Sequence, residues 1–262
     1  MTLLVGDEQA DRLAIVLHGI LGSGRNWRGI AKTLAERHPR WRFALPDLRN
    51  HAGAAPRPPP HTVAACASDL AALVEQIGIP SLVVGHSFGG KVALKWAENH
   101  GTAKTRVQVL DCPPGQTTPT GADAEQVLDA VRDAPTPAPD RAVIRAVLRA
   151  RGLSEPVVAW LATSLVSGPA GWQWGYHLPG IEEMLADFFQ IDCWEWLHRP
   201  PASRVRFLRA SRSDRWSAEE LSRFAALPSD SPVSLDLLDG AGHWVHVDDP
   251  EGTMRWMSED LT

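Results

Sequence analysis

Cysteine is scarce and odd in number: Cys66, Cys112 and Cys193 lie far apart, and no Cys-x-x-Cys occurs. That pattern fits reduced thiols better than a disulfide framework or a zinc site. No apolar run approaches the length needed to cross a bilayer, so no membrane span is expected. The stretch from Met1 to Asp11 has no basic start, no apolar core of signal length and no small-residue cleavage site. An export signal is therefore not expected, and the expected location is the cytoplasm. Positive charge is also in short supply. The net charge of −5 leaves no concentrated basic footprint, which argues against a nucleic-acid partner.

What is present is a balanced globular composition, 44% hydrophobic and 22% charged over 262 residues. Such a chain has enough apolar material for one large core, and its length suits a doubly wound α/β domain carrying an insertion. The most informative stretch runs from Ser81 to Gly90, an apolar segment of strand character ending in Gly85-His86-Ser87-Phe88-Gly89 and passing directly into Lys91 to Ala97. Strand, Gly-x-Ser-x-Gly, then helix is the order of a nucleophile elbow. The serine sits on so tight a turn that a side chain two residues to either side would collide, which explains Gly85 and Gly89. Ser87 then points into a cleft, and the N–H of Phe88 at the helix start is placed to stabilise an oxyanion.

Earlier in the chain, Leu13 to Leu17 reads as a buried strand ending at His18-Gly19-Ile20-Leu21-Gly22-Ser23-Gly24. The glycine spacing is not that of a dinucleotide fingerprint; the N–H of Ile20 is instead the candidate second oxyanion donor. Asn26 is placed to cap a helix from Trp27 to Arg37. A strand from Arg42 to Leu45 leads into Pro46-Asp47-Leu48-Arg49-Asn50-His51-Ala52-Gly53 and a proline-rich loop from Pro56 to Pro60. Asp47, Arg49 and His51 read as a hydrogen-bonded turn that shapes the site without doing chemistry. The spacing of Ala67, Leu70, Leu73, Val74 and Ile77 predicts a helix over Val63 to Gly78.

Val107 to Leu110 is another buried-type strand, closing with Asp111. The strand-helix-strand rhythm implies a mostly parallel sheet with helices on both faces. It breaks from Pro113 to Pro200, where no strand pattern is evident and helical segments alternate with proline-rich punctuation. The expected organisation is a core domain of residues 1–112 and 201–262, with a helical cap inserted at 113–200. The cap carries Trp160, Trp172, Trp174, Trp194 and Trp196, together with Phe188 and Phe189. Most of these should pack the cap down, and some should face an apolar ligand. The rhythm resumes with strands Val205 to Arg209 and Val233 to Leu238, a helix around Ala218 to Ala226 and a terminal helix from Pro250. His243 sits in a glycine-flanked loop after the last strand, free to reach the serine. His86, His177 and His246 read as packing or surface groups.

Taken together, His18-Gly19, Gly85 to Gly90 and Gly242-His243-Trp244 resemble the α/β-hydrolase fold superfamily over nearly the whole chain. Asp47 to His51 and the Trp-rich cap look like its subgroup of small esterases active on short acyl and lipid-like esters. The chain departs in having Ala52 where the family more often has glycine, and in a short start that reduces the first strands to Thr2 to Val5. The resemblance implies acyl transfer to water: Ser87 as nucleophile, His243 as base, and an oxyanion hole of the Ile20 and Phe88 N–H groups, with no metal or cofactor. For the acid, two residues compete. Asp214 follows the strand where most of the superfamily places it, but one position late, with Ser213 in the slot. Asp111 stands where the small-esterase subgroup has its acid, and it is the favoured candidate, with Ser213 assisting. The expected substrate is a small-molecule ester with a short to medium apolar acyl group. Thioester or C–C bond hydrolysis and a weakly catalytic ligand-binding protein are the alternatives. Oligomeric state is not legible.

Overall fold

The computed structural model describes residues 2–52, 54, 57–118, 122–199 and 201–262, with the backbone alone for 122–125. Gly53, the Pro56 start of the proline-rich loop and the Pro200 end of the expected cap lie outside the described residues. The chain opens with β1 (Thr2–Val5), β2 (Arg12–Leu17), α1 (Arg28–Arg37), β3 (Trp41–Pro46), α2 (Val63–Ile77), β4 (Leu82–His86), α3 (Phe88–His100) and β5 (Arg106–Leu110). Then follow α4 (Ala122–Asp133), α5 (Arg141–Ala150), α6 (Glu155–Ala162), β6 (Leu165–Gly168), β7 (Gly171–Trp174), α7 (Leu178–Gln190) and α8 (Trp194–His198). The chain closes with β8 (Arg204–Ala210), α9 (Ala218–Ala225), β9 (Val233–Leu238), α10 (Val245–Asp248) and α11 (Pro250–Ser258).

Seven strands form one sheet in the order β1-β3-β2-β4-β5-β8-β9, parallel except for β1 at the edge. This is the mostly parallel sheet expected from the rhythm and the α/β-hydrolase architecture that the resemblance implied, with β1 as its one antiparallel strand. Central strands are apolar along their whole length because both faces are covered. Along β2, Leu13, Ile15 and Leu17 pack with Leu70 of α2 and Val92 of α3, whereas Ala14 and Val16 pack with Leu34 of α1 and Met254 of α11. Each strand therefore contributes alternate residues to two apolar layers, and the register is pinned: a one-residue slip would exchange every side chain between them. Parallel strands all end at one edge, so the loops after β2, β3, β4, β5 and β9 gather there.

Two local expectations are corrected. Asn26 does not cap α1; it sits in a short 3-10 turn, Gly24–Trp27, and its Oδ1 accepts the Ser23 N–H at 2.6 Å. A strand pair also exists where none was expected, β6 against β7, with Leu165 opposite Trp174 and Ser167 opposite Trp172. The alternation Trp172-Gln173-Trp174 is a strand period, hidden in the sequence because four residues are too few to stand out beside an aromatic-rich helical segment. The elements between β5 and β8 form an apolar cluster of their own, including Val131, Ile144, Leu148, Val158 and Ile181, which also takes in Leu21 from the loop after β2. Among the described residues, no helix is long and apolar enough to cross a membrane.

Candidate active site

Ser87 follows β4 with φ 52° and ψ −120°, a left-handed conformation that costs a non-glycine residue on the order of 1–3 kcal/mol. The approach that forces it is visible on both sides. A Cβ on Gly85 would lie 2.1 Å from the Gly89 carbonyl oxygen, and one on Gly89 would lie 2.6 Å from that of His18. Only glycine lets the turn close. The strained residue is fixed by its N–H donating to Leu110 O at 3.0 Å and by its carbonyl accepting from Gly90 at 2.7 Å.

The loop after β9 brings His243 to this turn. Its Nε2 is 3.1 Å from Ser87 Oγ, and its Nδ1 is 2.8 Å from Asp111 Oδ2. Asp111 closes β5 at φ 44° and is 1% exposed. Four donors converge on its carboxylate: Ala210 N–H at 3.0 Å and Trp216 Nε1–H at 2.8 Å on Oδ1, Ser213 hydroxyl at 2.5 Å and His243 Nδ1–H on Oδ2. Burial alone would raise its pKa; the hydrogen bonds and the neighbouring imidazole outweigh that and hold it below the ordinary carboxylate value. Asp214 is elsewhere. Its side chain is 55% exposed and lies 3.5 Å from Arg215 Nε.

The two residues proposed from sequence to supply amides are each near Ser87 by a different route. Ile20 lines the cleft above Ser87, and Phe88 begins α3 directly after it. Among the described residues neither N–H donates to a protein acceptor. Two buried histidines set the loop that carries Ile20. His18 Nε2 accepts the Leu48 N–H at 3.0 Å, so its Nδ1 carries the proton and donates to Gly19 O at 2.8 Å. His51 does the same in the other direction: Nε2 accepts the Leu21 N–H at 3.0 Å, and Nδ1–H donates to Arg49 O at 2.8 Å. Both rings must be neutral for this, and burial pushes their pKa values down to about 4 for His18 and about 3 for His51. The remaining polar groups of the turn are structural as expected, Asp47 accepting from Gly24 N–H and Arg49 bonding Asp69, Pro60 O and Ala65 O. Ala52 takes the left-handed φ of 44° that glycine would adopt without strain.

His86 does more than pack. Its Nε2–H donates to the carbonyl of His243 at 2.8 Å, holding the loop that presents the imidazole, while desolvation keeps its own pKa far below the ordinary histidine value. The signal was a polar residue inside an otherwise apolar strand end. Trp216 and its bond to Asp111 had no signal, since the partners are 105 residues apart.

Over Ser87 opens a cleft of about 890 Å³, including its solvent-open mouth. Its walls are mainly apolar: Leu128, Trp160, Leu185, Phe188, Phe189 and Trp244, with Thr117, Thr118 and Arg215 as polar exceptions. Of the aromatics between β5 and β8, Trp160, Phe188 and Phe189 face the cleft. Trp174 instead donates to Val131 O at 3.1 Å, Trp172 lies under the Arg141 guanidinium, Trp194 bonds Glu220, and Trp196 packs on the core. Among the described residues, no group of three or more His, Cys, Asp or Glu side chains is arranged to hold a metal ion. A hydroxyl hydrogen-bonded to an imidazole, itself bonded to a buried carboxylate, with two amides beside it, can perform nucleophilic acyl transfer.

Residues 14–256 match the sequence model of the Alpha/beta hydrolase family. The chain is 28% identical to the sn-1-specific diacylglycerol lipase ABHD11 of Mus musculus over 258 residues, 96% of this chain and 81% of that protein. It is 26% identical to esterase YbfF of Escherichia coli (strain K12) over 250 residues, 92% of this chain and 89% of that one. Among solved structures, a marine microorganism esterase superposes with a TM-score of 0.84 at 24% identity, covering 99% of this chain and 98% of that one, a likeness of fold. With a family match over nearly its whole length and relatives named as lipases and esterases, the chain is a hydrolase, and it belongs to the alpha/beta hydrolase family.

Proposed function

We propose that the protein is a serine carboxylesterase acting on small-molecule esters with short to medium apolar acyl groups, with Ser87, His243 and Asp111 as its catalytic triad. The observation that carries this reading is the unbroken hydrogen-bonded line from Ser87 Oγ through His243 to Asp111 at the floor of an apolar cleft. His243 Nε2 takes the hydroxyl proton as Ser87 Oγ attacks the ester carbonyl, and Asp111 holds the tautomer and stabilises the imidazolium. The Ile20 and Phe88 N–H groups receive the oxyanion, and the N-terminus of α3 adds its positive end. His243 returns the proton to the departing alcohol; water, activated by the same imidazole, then releases the acid. All of this proceeds with the protein's own groups.

Within this reading, residues 113–200 are a cap whose helices supply the acyl wall, on a core of 1–112 and 201–262. Three buried, unpaired thiols fit a reducing compartment, the cytoplasm. The net charge of −5 fits an uncharged small substrate better than a nucleic acid. The test is a panel of p-nitrophenyl esters of rising chain length, run on wild type and on Ser87→Ala, with fluorophosphonate labelling in parallel. Hydrolysis and labelling that disappear together in a folded Ser87→Ala protein are expected. Activity that survives the substitution would sink the mechanism, and a wild type inert to both reagents would favour the binding-protein alternative.

A further inference from the structure

The loop that carries Ile20 is held from the core side by His18 and His51, but its last fixed point comes from the cap. Tyr176 is the chain's one tyrosine and lies between β7 and α7, where its hydroxyl donates to the carbonyl oxygen of Leu21. Its ring is stacked on Trp174 at 5.5 Å and meets His51 edge-on at 6.1 Å. Leu21 is thus gripped at both ends, its N–H by His51 Nε2 and its C=O by Tyr176, and it sits at a left-handed φ of 60°. Such a φ is disfavoured for leucine and persists only where surrounding bonds over-determine it. Two neighbouring contacts follow the same path. His177 N–H donates to Asn50 O at 2.9 Å, another residue at positive φ, and Asn26 Nδ2 donates to Thr163 Oγ1 at 3.2 Å. The segment from Thr163 to His177 therefore fastens to both core loops.

The consequence for Ile20 follows from peptide planarity. Gly22 N–H closes the turn onto Gly19 O at 3.0 Å, and His18 Nδ1–H bonds the same oxygen. Because the Gly19–Ile20 peptide is planar and trans, fixing that oxygen aims the Ile20 N–H the opposite way, toward the cleft. The turn keeps this orientation only while Leu21 holds its strained dihedral. Of the hydrogen bonds that hold Gly19 and Leu21, the Tyr176 bond is the one that comes from the cap.

We propose that Tyr176 is a positioning residue that makes the oxyanion hole depend on the cap: with the cap seated, its hydroxyl locks Leu21 and thereby the Ile20 N–H; with the bond missing, the core is intact but the donor is misaligned. This rests on the esterase reading above. It concerns transition-state stabilisation and not substrate binding, so its signature is a loss in kcat with KM little changed.

Tyr176→Phe removes one oxygen and keeps the ring on Trp174, so packing is preserved. Loss of a whole oxyanion donor costs on the order of 10² to 10³ in kcat, and a donor left misaligned about tenfold or more. The expected result is therefore a drop in kcat of at least about tenfold on a p-nitrophenyl ester, KM within about threefold, and faster amide hydrogen exchange over residues 19–24. Thr163→Val is the control. It cuts a different fastening of the same segment, at Asn26 and not at Leu21, and should leave kcat near wild type. An unchanged kcat or unchanged exchange in Tyr176→Phe overturns the proposal. An equal loss in Thr163→Val also overturns it, because the effect would then belong to cap attachment in general. A wild type with no esterase activity would fail the reading of the reaction instead, and the exchange measurement would still decide the role of Tyr176.

Discussion

Asp111 and Ser213 share a hydrogen bond of 2.5 Å, the hydroxyl of the second donating to the oxygen of the first that also receives His243 Nδ1–H. Ser213 stands at the strand end where an acid would otherwise be placed, and it donates to the acid that stands on the neighbouring strand. In the proposed triad this arrangement favours the buried carboxylate over Asp214, since only a carboxylate with enough donors stays ionised when buried.

Asp111→Asn is therefore expected to lower kcat by up to roughly four orders of magnitude, because an amide in that position accepts poorly from Nδ1–H and stabilises no imidazolium. Asp214→Asn should change kcat by less than about twofold, as its exposed side chain makes only a screened pair. Steady-state kinetics on both variants decide the matter; the reverse ranking would remove Asp111 from the mechanism.

How far the sequence carried this result depends on range. The central strands are legible because burial on both faces leaves near-continuous apolar runs, and Ser87 is legible because Gly85 and Gly89 are local steric requirements. Asp111 and His243 are visible as polar residues at strand ends, which a parallel sheet gathers at one edge. What is illegible is long-range donation. Trp216 to Asp111, His86 to the carbonyl of His243 and Tyr176 to Leu21 each join a side chain to a group more than a hundred residues away. Nothing in the local pattern of Trp216 or Tyr176 distinguishes them from packing aromatics. The β6–β7 pair was missed for a different reason, its brevity.

Stability should fall on mild acidification because of His18 and His51, and burial lowers the pKa values of His86 and His246 in the same direction. The folded pKa values of His18 and His51, about 4 and about 3, lie below the ordinary 6.5, so between these limits the unfolded chain binds more protons than the folded one. Stability is then complete above 6.5 and is lost as pH falls through that window, at up to roughly 1.4 kcal/mol per pH unit for each ring. Asp111 adds its own loss only at lower pH, since its folded pKa lies below the usual 3.8. Urea unfolding between pH 7.5 and 5 measures the slope. His51→Gln, which keeps an acceptor for Leu21 but does not titrate, should flatten it by about one proton's share; an unchanged slope would show that His51 does not contribute.

Lys91, one turn beyond Ser87 on α3, is fully buried and has no carboxylate in an ion pair with it among the described residues; its ammonium donates to Gly115 O at 2.8 Å and to Phe188 O and Ile191 O at 2.9 Å. Desolvation lowers its pKa, yet the charge completes three hydrogen bonds, two of them to carbonyls at the C-terminal end of α7, where a cation is favoured. Lys91→Met relieves the desolvation but leaves three buried carbonyls without that donor, at about 1–3 kcal/mol each. The net expectation is a destabilisation of roughly 3 kcal/mol, read from chemical denaturation. A Met variant as stable as wild type would mean that the carbonyls find other donors.

The acyl wall can be tested by comparing two tryptophans from the same segment. Trp160 faces the cleft, with its ring 6.1 Å from that of Trp244, whereas Trp174 is held by Val131 O and stacks on Tyr176. Shortening Trp160 to Ala opens space along the path of an acyl chain. Each methylene that finds new apolar burial there gains up to about 0.8 kcal/mol, close to fourfold in kcat/KM per carbon. The ratio of kcat/KM for a longer ester over acetate should therefore rise in Trp160→Ala, by roughly tenfold over two to four carbons if part of each methylene is buried. Trp174→Ala should instead lower thermal stability and leave that ratio near wild type, because the lost contacts, to Val131 and Tyr176, lie outside the cleft wall. Ester panels on the two variants separate wall from scaffold. A shifted preference in Trp174→Ala with none in Trp160→Ala would place the acyl chain on the other side of the cap.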